Sequence, residues 1–200
     1  MEQPLDAETR LAARLRGLRS ERGLTLDALA ERAGVSRSMI SLVERCESSP
    51  TANVLDKLAA GLGVTLASLF ADEHRKDAAP LARRADHRVW RDPDTGYVRR
   101  NLSPSGFPSA IELVEVVLPP KAHVAYDTTF RSPAIDQQIW VLEGAVQITV
   151  GDDTHDLAAG DCLAMRVDRF TAFRNPSERP ARYLVALTMA ATRVVHGGSI

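Results

Sequence analysis

Aromatic residues make up only 5% of this 200-residue chain, cysteines number two, and the formal net charge nearly cancels at −1. Each shortage excludes something. Cys46 and Cys162 lie far apart and form no CxxC pair, so neither a disulfide framework nor a thiolate metal knuckle is expected, and a reduced, cytoplasmic protein is the simple reading. No apolar run reaches the roughly 18 residues that a membrane-spanning helix needs. The opening stretch "MEQPLDAETR" lacks the basic-then-apolar pattern of an export signal, so export is not expected. The balanced charge argues against a strongly basic protein that coats nucleic acid, although it leaves room for a local binding face. There is also no Gly-rich phosphate loop and no GxSxG, and the Asp152–Asp153 pair sits in a turn, so catalysis finds little support.

What is present divides the chain in two. Residues 1–76 balance eleven Lys/Arg against eleven Asp/Glu, whereas residues 101–200 carry eight against eleven. The second half is therefore the poorer candidate for contacting phosphate. In the first half, Leu11, Leu15 and Leu18 recur at helical spacing, with Arg10, Arg14 and Arg16 off the stripe. Gly23 ends that helix. Thr25 is an N-cap for a short helix carrying Leu26, Leu29, Ala30 and Ala33, which Gly34 closes. Ser36 caps a third helix with Met39, Ile40 and Val43, and Thr51 a fourth with Val54, Leu55, Leu58 and Leu62. "GLGVTLASLF" adds a Gly stop and a short fifth helix. Five short helices with tight connections predict a small all-α domain.

Within it, "LTLDALAERAGVSRSMISLVE" reads as helix, Gly-containing turn, helix: the helix-turn-helix, whose second helix enters the major groove. Residues 11–70 resemble the DNA-binding domain of the XRE family, the phage-repressor-like regulators, with Ala30, Gly34, Val35, Ile40, Glu44, Pro50 and Leu58 on signature positions. The resemblance implies that Ser36, Arg37 and Ser38, followed by Ser41 and Leu42 a turn later, face base edges and flanking phosphates. Arg37 is suited to a bidentate pair with guanine. Thr25, with Ser48, Ser49, Thr51 and Asn53 in the next loop and cap, are the implied phosphate contacts. Arg19 and Glu44 occupy the places of a structural ion pair. The chain departs from the family pattern at Leu26, often a polar DNA-contacting residue, and at Cys46, usually Gly; a left-handed Cys46 would be strained, unless the loop is remodelled. The plain alternative for the polar residues is capping alone.

"ADEHRKDAAPLARRADHR" is charged, Ala-rich and without a sustained apolar face, and reads as a linker. From residue 88 the period shortens. "RVWRDPDTGYVRR" suggests a hairpin about Asp94–Gly96, "AIELVEVVL" a strand stopped by Pro119–Pro120, and "QQIWVLEGAVQITV" two strands joined at Glu143–Gly144. "THDLAAGDCLAMR" and "TAFRNPSERPARYLVALTM" add two more each. Short strands at this spacing predict an all-β sandwich or barrel. The expected division is 1–72 helix-turn-helix domain, 73–87 linker and 88–200 β domain. The fold class is multidomain α + β.

The order "PP…IWVLEGxVxITV…LxxGD…FRNP…ARYLVAL" resembles the cupin superfamily, a jelly-roll barrel, over about residues 105–190. Its two motifs place metal ligands as HxH, Glu and a third His. Aligned on Gly144 and Gly160, those places fall on Arg131 and Pro133, Gln137 and Thr171, while Asn175 stands where the motif has Asn. A cation, a residue with no donor, and two neutral oxygens are a poor ligand set for a divalent ion. No metal site and no cofactor are therefore expected; His123 is the nearest alternative ligand, and His155 reads as structural or exposed. Cys162 reads as a buried small hydrophobe.

Two uses of such a barrel stay open. In one it holds a small molecule with an anionic group: Arg131 forks a carboxylate or phosphate, Gln137 and Thr171 hydrogen-bond it, and Tyr126, Ile139, Met165 and Phe173 wall it. In the other, Arg131 pairs with Asp136 or Asp127 and the barrel merely dimerises the chain. The combined expectation is a non-enzymatic, homodimeric transcriptional regulator that binds double-stranded DNA at a near-palindromic operator and senses a metabolite. The competing expectations are a constitutive repressor and a metal-dependent cupin enzyme with an accessory DNA-binding domain.

Overall fold

The structure is a computed structural model describing residues 4–70, 78–127 and 135–189. The first part contains α1 (Pro4–Glu21), α2 (Leu26–Ala33), α3 (Arg37–Glu44) and α4 (Ala52–Leu62). Local chemistry sets their ends. Thr25 Oγ1 accepts from the Ala28 amide at 3.1 Å, and Ser36 Oγ from Met39 at 3.2 Å, satisfying amides that the first helical turn leaves free. Gly34, between α2 and α3, is left-handed (φ 62°). Leu11, Leu15 and Leu18 of α1 are buried with Leu29, Ile40 and Leu55. The α2 and α4 backbones meet closely: a Cβ at Gly61 would lie 2.9 Å from that of Ala33.

The fifth helix is not an α-helix. Ala67–Phe70 forms a single 3₁₀ turn. Its start is held by the Thr65 hydroxyl, which accepts from the Ser68 amide at 2.9 Å, a local bond that tightens the chain into a short turn. A second 3₁₀ turn, Arg84–Asp86, lies in the connection.

Ten strands follow: β1 (Val89–Arg91), β2 (Val98–Asn101), β3 (Glu112–Leu118), β4 (His123–Tyr126), β5 (Ile135–Glu143), β6 (Ala145–Val150), β7 (Asp153–Ala158), β8 (Cys162–Val167), β9 (Thr171–Arg174) and β10 (Ala181–Met189). They form two antiparallel sheets, ordered β1-β2-β3-β10-β5-β8 and β4-β9-β6-β7. The β7–β8 and β9–β10 connections pass between sheets rather than closing hairpins, as in a jelly roll. Alternate residues of β3 (Val114, Val116, Leu118) turn inward against Ile139, Val141 and Ile148. Gly144 turns β5 into β6 at φ 78°, where a Cβ would meet the Ala181 backbone at 3.1 Å.

Cys162 is exposed, not a core residue. β8 is the edge of its sheet, paired with β5 alone, and Cys162 stands opposite Trp140, itself exposed. No helix among the described residues is long and apolar enough to cross a membrane.

The two parts are stitched together by side chains. Thr51 makes no capping bond at α4. Instead Asp92, from the β1–β2 turn, accepts from the Ala52 amide at 2.8 Å in a buried position. Thr65 and Ser68 donate to the two carboxylate oxygens of Glu112 at 2.6 and 3.0 Å. Asn101 Nδ2 donates to the Ala67 carbonyl at 3.0 Å, and Phe70 packs on Trp90 with ring centroids 5.7 Å apart.

Candidate nucleic-acid interface and barrel cavity

The α2–turn–α3 unit is pinned from behind. Arg19 of α1 grips Glu44 of α3 through two bonds, Nε–Oε1 at 2.7 Å and Nη2–Oε2 at 2.8 Å, while Nη1 donates to the Leu24 carbonyl. Arg16 adds a bond to the Glu44 carbonyl at 2.7 Å. The Glu44 side chain is only 5% exposed, so the fork supplies the counter-charge that a buried carboxylate requires. The bond to Glu44 raises the already high pKa of Arg19, against the opposing effect of burial. Thus Arg19 and Glu44 set the height and tilt of α3.

The outer side of this unit is polar. Ser36, Arg37 and Ser38 are exposed at the start of α3, and Thr25 is exposed at the start of α2. Ser36 and Ser38 hydroxyls stand 3.1 Å apart. Arg37 is held by Asp27 at 3.1 Å, an exposed pair that a phosphate or base edge can displace at little cost. Ser41 and Leu42 are half-buried one turn along, and Ser41 Oγ accepts from Arg45. Leu26 is half-buried and packs on the core. Ser49 bonds Glu8; Ser48 and Thr51 are half-buried, and Asn53 is exposed. Cys46 adopts φ 59°, so the left-handed backbone is kept at this non-glycine position.

Inside the barrel is a cavity of about 70 Å³. Of the residues expected to wall a pocket, Tyr126, Gln137, Thr171 and Phe173 line it. Ile139 is fully buried in the core and Met165 half-buried, and neither reaches the cavity lining. Arg131 and Pro133 lie outside the described residues. Asp136, one proposed partner of Arg131, is engaged by Arg166 at 2.9 Å on the surface. Asn175 is a strut: its Nδ2 donates to the carbonyls of Leu118, Pro119 and Arg179, and its Oδ1 accepts from Ser177.

Sequence reasoning missed most of the cavity lining. Tyr97 and Arg99 alternate on one face of the β2 segment, a period-two signal legible only once its facing sheet is known. Tyr183 comes from β10, and Asp56 from α4 of the helical part. Thr65 and Leu66, also from the helical part, complete that wall. Tyr126 donates to the Tyr97 hydroxyl at 3.2 Å, and the Phe173 ring stacks on Tyr183 at 5.9 Å. Burial, then the neighbouring Tyr97, push the Tyr126 phenol well above its ordinary range; the same two causes, in the same order, raise Tyr183.

Among the described residues, Asp56 is the one carboxylate in the lining. Gln137 and Thr171 offer neutral oxygens, and the Arg99 guanidinium, a cation, faces the same space. Among the described residues no three His, Cys, Asp or Glu side chains converge on a point. His123 and His155 are exposed.

A helical unit with an outward polar α3, joined to a two-sheet jelly roll whose cavity both parts line, defines a class: a helix-turn-helix module fused to a jelly-roll barrel. The comparisons place the chain within it. Residues 10–69 match the helix-turn-helix domain family and residues 115–187 the cupin domain family. The chain is similar to the HTH-type transcriptional regulator SutR of Escherichia coli K12, 26% identical over 86% of this chain and 91% of that one. It is also similar to the HTH-type transcriptional regulator PuuR of the same organism, 24% identical over 88% and 92%. A crystal structure of an HTH_3 family transcriptional regulator from Vibrio cholerae shares the fold with a TM-score of 0.75 at 24% identity, covering 94% of this chain and all of that one. The chain is an XRE-type helix-turn-helix transcriptional regulator carrying a cupin domain.

Proposed function

We propose that this chain works in the cytoplasm as a one-component, homodimeric regulator: the division 1–72, 73–87, 88–200 separates an operator-reading domain from a sensing barrel that operates without a metal and without catalysis. The observation that carries the reading is the composition of the cavity wall. Asp56, Thr65 and Leu66 of the DNA-binding part line the same space as Gln137, Thr171 and Phe173 of the barrel. A molecule in that space touches both parts at once, and its differential contacts can shift the placement of α4 and hence of α3. In this reading Arg37 reads a base, with Ser36, Ser38, Ser41 and Leu42 beside it. Thr25, Leu26, Ser48, Ser49, Thr51 and Asn53 fit the duplex backbone. Arg131, outside the described residues, keeps its expected role of forking an anionic ligand. Two recognition helices about 34 Å apart call for a near-palindromic operator.

The test is operator selection from a random duplex pool by the full chain, followed by affinity measurements with a panel of metabolites. The reading expects a selected inverted repeat and at least one compound that changes its affinity about fivefold or more. An operator bound identically with every compound would indicate a constitutive repressor. Stoichiometric metal in the purified protein, lost on Gln137→Ala, would indicate a metal-dependent cupin.

A further inference from the structure

Among the described residues, Arg14, His87 and Arg99 each bury a side-chain nitrogen without a hydrogen-bond partner, and of these only Arg99 lines the barrel cavity. It is 8% exposed, its Nε is buried without a hydrogen-bond partner, and among the described residues it forms no ion pair. Its position on β2, paired with Val116 of β3 and Trp90 of β1, turns it into the barrel cavity. Asp56 faces the same space but has its own interaction, and no ion pair joins it to Arg99. A buried guanidinium without a counter-charge is costly, and such a group is retained where something supplies the charge.

We propose that Arg99 anchors a small carboxylate in this cavity, against the wall formed by Asp56, Thr65 and Leu66 of the DNA-binding domain. The proposal rests on the sensing reading above and names the ligand's chemistry. A guanidinium offers two parallel N–H donors, which match the two oxygens of a carboxylate. The Thr171 hydroxyl and the Gln137 amide flank that space. Val116, Ile135, Val167, Val185 and Leu187 give the wall an apolar stretch, and a volume of about 70 Å³ suits a compact ligand with a short alkyl body. A phosphate, with no alkyl body, would leave those apolar walls unused.

The test is thermal unfolding of the full chain titrated with acetate, propionate and butyrate, with inorganic phosphate and matched chloride as comparison arms, repeated on Arg99→Met and Arg99→Lys. Arg99→Met removes an unpaired buried charge and is expected to unfold at the wild-type temperature or above it. Propionate or butyrate is expected to raise the wild-type midpoint with dose, Arg99→Lys to bind about tenfold more weakly, and Arg99→Met about a hundredfold more weakly. Carboxylates that stabilise wild type and Arg99→Met equally, a response to phosphate alone, or no response beyond chloride would each overturn the proposal. Its failure is separable from that of the sensing reading. An uncharged compound that shifts operator affinity in both wild type and Arg99→Met sinks Arg99 and leaves sensing standing. A carboxylate bound through Arg99 with operator affinity unchanged does the reverse.

Discussion

The helical domain and the barrel use buried charge in opposite ways. In the first, Glu44 is buried and gripped by both ends of the Arg19 fork, so the charge is spent on holding α3 in place. In the second, Arg99 is buried with no such partner and faces a cavity. A satisfied buried ion pair holds a structure in place, whereas the lone buried guanidinium is the group to which the proposal assigns a ligand. On the proposed reading, the first half is built to be rigid and the second to respond.

Breaking the satisfied pair has the largest expected effect. Arg19→Ala strands Glu44 and should cost about 3–5 kcal/mol in urea unfolding of the helical domain. Arg37→Ala touches neither buried charge. It should cost roughly 1–3 kcal/mol of operator binding and relax base preference at one position, with protein stability changed by less than about 0.5 kcal/mol; an unchanged operator affinity would mean the register of α3 on DNA is wrong. Gly61→Ala gains about 1 kcal/mol of helix propensity but drives a methyl into Ala33, so a net loss of up to about 2 kcal/mol is expected. Asp92→Ala removes the cap that the barrel lends to α4 and should cost about 1 kcal/mol, with the loss seen in the helical domain although the substitution lies in the other.

The smallest effect sharpens the barrel side. Burial keeps the Tyr126 and Tyr183 phenols neutral in the folded state above their ordinary value of 10.0. Their contribution to stability is complete below pH 10 and falls as pH rises past it, because the unfolded chain's tyrosines ionise first. Tyr183→Phe should therefore lose less stability than wild type between about pH 8 and about pH 11, measured by urea unfolding.

How much of this was legible in the sequence follows the same division. Thr25, Ser36 and Gly34 act through bonds to neighbours a few residues away, so helix ends were readable from local order. The fifth element tightened to a 3₁₀ turn through the local bond from the Ser68 amide to the Thr65 hydroxyl, while both hydroxyls also answer to Glu112, far along the chain. Gln137 and Thr171 came from the spacing of the cupin motifs and Tyr126 and Phe173 from the expectation of aromatic walls; all four line the cavity. Arg99 and Asp56 were not, because which way β2 faces depends on its register with β3, and Asp56 looks like an ordinary solvated helix residue until the barrel covers it. Asp92 likewise reads as a turn residue, although its carboxylate also serves another domain's helix. Cys162 was misplaced because only the strand order makes β8 an edge.

The most direct test of the shared wall is amide hydrogen exchange on the full chain with and without saturating butyrate. Exchange reports local opening segment by segment. If the cavity joins the two domains, protection should rise both in the barrel strands around Arg99, Thr171 and Tyr183 and in residues 52–70 of the DNA-binding domain. Protection that rises in the barrel and leaves residues 52–70 untouched would contradict it.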